Sequence, residues 1–316
     1  MAFMRFSLRS AIVFAAMVLS ACGDVRRPTT IKGAVAEGAA GAVEAKAPSA
    51  AGGFVIENST VIPLRATASG RDYEIYVKTP PGYDKPENAG RRYPVLYLTD
   101  GPYTFQVASG LTRVPFNHGR FREFIIVGLS YARGEVPADS RRRDLTPWRD
   151  HEINGVTGGA EAYLTFLRQA VLPLVETRYR VDRADRTLAG QSYGGLFGLW
   201  VAFHKPELFR SYILTSPSIW FADRAILQSE AAYAASHKDL PARIYLATGS
   251  REHPGPGGCA DCDINMVADQ AQLTTLLKSR AYPGLEIKTN VVDDGFHETT
   301  FPIGLMQGLQ WLYLKE

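Results

Sequence analysis

Apolar positions along the chain follow two spacings. Val61 to Ala68 and Tyr73 to Lys78 partly alternate polar with apolar residues across a Ser-Gly-Arg turn, which predicts an antiparallel hairpin. Pro94 to Leu98, Phe124 to Leu129, Thr187 to Gly190, Tyr212 to Thr215, Ile244 to Thr248 and Ile287 to Val292 are largely apolar, β-branched-rich runs suited to strands buried on both faces. Between them, Ala160 to Tyr179 sets Tyr163, Phe166, Leu167, Ala170, Val171 and Leu174 on one helical stripe, with Pro173 as a point of division. Leu196 to His204, Ala268 to Leu277 and Leu305 to Leu314 read as further helices. Strand and helix alternating in this way predict an α/β domain: a mostly parallel eight-stranded sheet with helices on both faces.

The first residues break that pattern. Arg5 and Arg9 precede an apolar run from Ala11 to Leu19 that is too short to span a bilayer, and small residues follow it, as in a secretory signal. Leu19-Ser20-Ala21-Cys22 resembles a bacterial lipobox, which implies cleavage before Cys22 and lipid on that cysteine. Gly23, rather than Asp, follows it, which favours an outer-membrane destination. From there to Gly53 the chain is rich in Ala and Gly, lacks aromatic residues and cannot bury enough surface to fold. The expected organisation is a lipoprotein signal over 1–21, a flexible tether over 22–53 and a catalytic domain over 54–316, exported and held on the periplasmic side of a membrane. Composition adds one exclusion. A net charge of +3, to which the removable Arg5 and Arg9 contribute, gives no footing for a nucleic-acid partner.

The chemistry centres on Gly190-Gln191-Ser192-Tyr193-Gly194, directly after an apolar strand and directly before a helix. A tight strand-to-helix turn forces its serine into a strained conformation and needs glycine where main chains approach. Ser192 is the candidate nucleophile, and the free N–H of Tyr193 at the helix start is the candidate oxyanion donor. A serine hydroxyl needs a histidine to take its proton. His118 and His151 precede the serine, His204 ends the following helix, and His237 reads as surface. His253 lies where the acid is expected, which leaves His297, after the last strand, as the base. For the acid that orients it, Glu252 after the strand Ile244 to Thr248 is the choice. Asp261 and Asp263 on the same loop remain alternatives. Pro102 has no N–H to give, so the second oxyanion donor is Gly101 or Tyr103, with Gly101 favoured for its close approach.

These residues, with Tyr93-Pro-Val-Leu-Tyr-Leu-Thr-Asp-Gly101, Arg143-Asp144-Leu-Thr-Pro147 and Ser216-Pro-Ser-Ile-Trp220, resemble the α/β-hydrolase esterases that include enterobactin and other ferric-siderophore esterases. S-formylglutathione hydrolases and feruloyl esterases are more distant relatives. The resemblance covers about Phe54 to the C-terminus. It implies an ester hydrolase working through an acyl-enzyme, without cofactor or catalytic metal, any iron belonging to the substrate. A general acyl or feruloyl esterase, or a ligand-binding lipoprotein without activity, are the other readings. Ferric catecholates are anionic, so Arg141, Arg142 and Arg143 are candidate substrate contacts, with Trp220 and Tyr103 as candidate aromatic walls. Cys259 and Cys262 are expected to form a disulfide pinning the loop after Glu252 in an oxidising compartment, since two cysteines beside a lone histidine make a poor zinc set.

Overall fold

The computed structural model describes residues 54–259 and 263–315. The expected signal, lipidation site and tether, and the Cys259–Cys262 bridge with Asp261, fall on or against residues outside that range.

Eight strands form one sheet: β1 Ser59–Ala66, β2 Arg71–Lys78, β3 Tyr93–Leu98, β4 Ile125–Leu129, β5 Val181–Gln191, β6 Ser211–Thr215, β7 Arg243–Gly249 and β8 Glu286–Val292. Their order is β1-β2-β4-β3-β5-β6-β7-β8. The hairpin β1–β2 and the β2–β4 pair are antiparallel, and every other pair is parallel. Each predicted strand is present. β5 is longer than its apolar core suggested because the polar stretch Asp182 to Arg186 also lies in the strand, which pairs Val181 with Tyr93.

The helices are α1 Gly101–Asn117, α2 Pro137–Asp144, α3 Ala160–Phe166, α4 Leu172–Arg178, α5 Tyr193–His204, α6 Phe221–Ser236, α7 Met266–Ser279 and α8 His297–Tyr313. Successive side chains of a strand point to opposite faces, so each central strand feeds two cores. Leu96, Leu98, Ile126, Ala189, Ile213, Tyr245 and Ala247 pack under α1 and α8. Val95, Tyr97, Val127, Leu188, Tyr212, Leu214, Ile244 and Leu246 pack under α3 to α7. The continuous apolar runs are the sequence signature of that double burial.

Three helices were not visible in the apolar pattern. In α1 the buried face includes Thr104, Ser109 and Thr112, which blur the stripe, and Pro102 sits in the first turn, where its missing N–H costs nothing. α2 is largely charged. α6 opens with Ala222, Asp223 and Arg224 all at positive φ before becoming regular. The predicted division near Pro173 appears as a π-helical turn over Leu167–Val171, which absorbs the backbone bond that proline cannot make.

Candidate active site

β5 ends at Gln191 and α5 begins at Tyr193, so Ser192 occupies a one-residue elbow at φ 59°, ψ −117°. For a residue with a Cβ this conformation costs ~1–3 kcal/mol and needs its surroundings to enforce it. They do so through three main-chain bonds. Ser192 N donates to Thr215 O at 3.0 Å, and Ser192 O accepts from Leu196 N at 2.9 Å and Ser218 N at 3.1 Å. A Cβ on Gly190 would lie 2.6 Å from the carbonyl carbon of Gly194 and from Thr99 Oγ1, so only glycine closes the elbow.

The elbow faces the start of α1. Gly101 there lies so close to the end of β4 that a Cβ would stand 2.7 Å from Leu129 N and O. Tyr193 N and Gly101 N open their helices and have no acceptor among the described residues. Tyr103 N donates to Asp100 O at 3.0 Å, which removes it as the alternative donor.

On the far side, Glu252 and His297 come together. His297 Nδ1 and Glu252 Oε2 are 2.7 Å apart. Glu252 Oε1 accepts from Ser216 Oγ at 2.6 Å, Gly249 N at 2.7 Å and Thr300 Oγ1 at 2.9 Å. Burial by itself would push this carboxyl up. The bonds from His297, Ser216 and Gly249 outweigh it and hold the group below its ordinary value, as a carboxylate. With Nδ1 committed to Glu252, the ring presents Nε2, which has no partner among the described residues. Asp263 is exposed, and Glu252 is the acid the fold places on His297.

Loop crossings keep the pieces in register. Ser250 N donates to Val292 O and Arg251 N to Gly295 O, joining the loops after β7 and β8. The Gln191 side-chain amide donates to the His297 carbonyl, joining the elbow to the histidine. Ser192 Oγ itself rests on Ser218 Oγ at 3.3 Å and makes no hydrogen bond to His297. Such a link is often open without substrate.

The three arginines part company. Arg141 Nε meets Asp100 Oδ1 at 2.6 Å, its Nη2 donates to Gln191 O at 3.0 Å, and its guanidinium lies 5.3 Å from the centre of the Tyr193 ring. Asp100, buried and at φ 57°, also accepts from Tyr131 Oη at 2.9 Å. Arg142 pairs with Asp139, and Arg143 is held between Asp144 and Glu135 in a cluster completed by Tyr73 and Ser140. The structure thus brings Arg141 alone of the three to the elbow. Trp220 packs against Tyr193 with ring centres 6.3 Å apart, and Tyr103, 43% exposed, against Phe301 at 5.5 Å. Of the other histidines, His204 stacks on Trp200 and meets Glu161, His237 stacks on Tyr233, His253 bonds Pro254 O, and His118 and His151 are exposed.

Ser216, Ser218, Thr300, Gln191 and Asp100 were not anticipated as parts of the site. Asp100, Gln191, Ser216 and Ser218 stood within quoted motifs, but nothing in their spacing said which atom each would meet.

A serine on a strained strand-to-helix elbow, facing a carboxylate-bound histidine at the carboxyl ends of a mostly parallel sheet, defines an α/β-hydrolase. Residues 66–302 match the family model described as "Putative esterase", and the chain belongs to that esterase family. It is similar to the ferri-bacillibactin esterase BesA of Bacillus subtilis, 31% identical over 63% of this chain and 72% of that protein. The siderophore triacetylfusarinine C esterase of Aspergillus fumigatus is 33% identical over 58% of this chain and 66% of that one. Among solved structures, the BES protein from Bacillus cereus superposes with a TM-score of 0.71 at 25% identity, covering 84% of this chain and 99% of that one.

Proposed function

We propose that the protein is a serine esterase acting through an acyl-enzyme on siderophore esters, exported and anchored to a membrane by lipid on Cys22. The observation that carries the serine mechanism is the Glu252–His297 hydrogen bond at 2.7 Å, tied through Gln191 to the elbow that bears Ser192.

Ser192 Oγ leaves Ser218, passes its proton to His297 Nε2 and attacks the ester carbonyl carbon. Glu252 stays ionised and stabilises the imidazolium. The N–H groups of Tyr193 and Gly101 receive the negative charge on the carbonyl oxygen, each worth ~3–4 kcal/mol of barrier on the scale of other oxyanion holes. Collapse expels the alcohol, which takes the proton from His297. Water then repeats the sequence on the acyl-serine, with His297 again as base.

The substrate class is supported by the siderophore esterases to which the chain is similar. Two measurements test the reading. A fluorophosphonate should add its mass to the peptide containing Ser192, and Ser192→Ala should abolish p-nitrophenyl ester hydrolysis without loss of fold. Competition should rank a ferric catecholate trilactone above S-formylglutathione and a feruloyl ester. A preference for either of the latter two would overturn the substrate assignment and leave the serine mechanism standing.

A further inference from the structure

Five adjacent strands enter the sheet on the heels of an arginine. In sheet order, Arg122 comes three residues before β4, Arg92 directly before β3, Arg180 before β5 and Arg210 before β6, while Arg243 opens β7. Neighbouring strands are ~4.8 Å apart, so these positions form a band about 20 Å long across the end of the sheet opposite Ser192, within which Arg180 is turned onto the Tyr83 ring and bonds Tyr83 O. Arg120, Arg178, Lys85, Lys205 and Lys315 lie at the same end.

Several carboxylates here are already engaged. Arg91 holds Glu123, Arg122 holds Asp185, Arg183 and Arg186 share Glu176, and Arg243 holds Glu286. Arg92, Arg120, Arg178 and Arg210 are exposed and have no carboxylate partner among the described residues. Facing them without an arginine are Asp84, Glu87, Asp182, Glu207 and Asp239. Asp182 and Asp239 are partly occupied by main-chain N–H groups. Neutralising helix C-termini accounts for Arg178 and Lys205, which close α4 and α5, but not for Arg92 and Arg210, which stand directly before strands. Within the band lies a cleft of about 200 Å³ whose walls include Arg183, Arg186, Glu207, Phe209 and Arg210.

The chain also enters the domain here. Ser59 at the start of β1 pairs with Lys78, and Lys78 pairs with Ile126 near the start of β4. Phe54, the first described residue, is 98% exposed and precedes that end of β1.

We propose that this arginine band docks the domain on an anionic phospholipid surface, with the unpaired Arg92, Arg120, Arg178 and Arg210 meeting the phosphate head groups. Docked so, the Ser192 end of the sheet faces the aqueous compartment from which substrate comes. The export-and-anchor reading supplies the biological setting, whereas the lipid contact is a property of the folded domain.

The test uses the chain from residue 22 onward carrying Cys22→Ala, so that no acyl chain contributes. It should co-sediment with mixed phosphatidylglycerol–phosphatidylcholine vesicles, less as salt rises, and not with pure phosphatidylcholine. Combining Arg92→Glu, Arg120→Glu, Arg178→Glu and Arg210→Glu should weaken binding by about tenfold or more while ester turnover stays unchanged. If the reversed variant fails to fold, the corresponding four glutamine substitutions make the same comparison with a smaller expected loss. No binding to the anionic vesicles, equal binding to both compositions, or binding indifferent to salt and to the substitutions overturns the proposal. The mass of the native protein's N-terminal peptide reports separately on Cys22, so loss of the anchor reading and loss of the docking reading are distinguishable.

Discussion

Glu252 shows how much one residue's effect depends on its neighbours. A buried carboxylate without partners would protonate; here Oε1 takes three hydrogen bonds, which leaves Oε2 to His297. Because its folded-state pKa is depressed, the stability it contributes is fully present above the unfolded carboxyl value of 4.5 and is lost as pH falls through the lower, folded value. Ser216→Ala with Thr300→Val removes two of the supports. The expected result is an acid-unfolding midpoint moved to higher pH, read by circular dichroism, with each substitution costing ~1–3 kcal/mol. Glu252→Gln keeps the shape and removes the charge that stabilises the imidazolium. Its kcat should fall by roughly 10³–10⁴, with KM little changed.

At the scale of elements, the site is a set of strand ends brought to one edge. The elbow after β5 is fixed by backbone contact, so Gly190→Ala, whose Cβ would lie 2.6 Å from main-chain and side-chain atoms, should prevent soluble folding rather than merely slow catalysis. The start of α1 is fixed by the Asp100–Arg141 pair, in which Asp100 is 7% and Arg141 24% exposed on their side chains. Asp100→Asn leaves Arg141 with an uncompensated charge in a partly dry setting. A loss of ~3 kcal/mol is expected in urea unfolding, an upper value given Arg141's residual exposure, together with reduced turnover as the elbow loosens. These elements also show what the chain made legible. The strands could be read because both of their faces are buried and apolar. α1 and α2 could not: the buried Thr104 and Thr112 of α1 turn their hydroxyls to the nearby carbonyls of Thr99 and Ala108, and the charged Arg141 and Asp144 of α2 meet partners distant in sequence, Asp100 and Tyr73.

For the whole molecule, polarity of the sheet separates two kinds of work. The carboxyl ends of the strands carry the reactive groups, and the amino ends carry the arginine band. If Cys22 anchors the chain and the arginine band only docks it, Cys22→Ala should let a high-salt wash release the protein from the membrane pellet, whereas the protein with Cys22 should stay through the wash, and specific activity on a p-nitrophenyl ester should be the same for both. No helix among the described residues is long and apolar enough to cross a membrane.

Sequence by itself determined the architecture, the addresses of Ser192 and His297 and the loop on which the acid lies, because strand burial, elbow geometry and loop order are local or ordinal properties that a one-dimensional pattern can carry. Tertiary structure decided which candidate acid met His297, which of three consecutive arginines reached the elbow, and that Tyr103 N was already taken. It also revealed Ser216, Ser218, Thr300 and Gln191 as supports. Those are questions of distance between residues tens of positions apart, and hydrogen bonds of about 3 Å are settled only when the sheet has set the strand ends side by side.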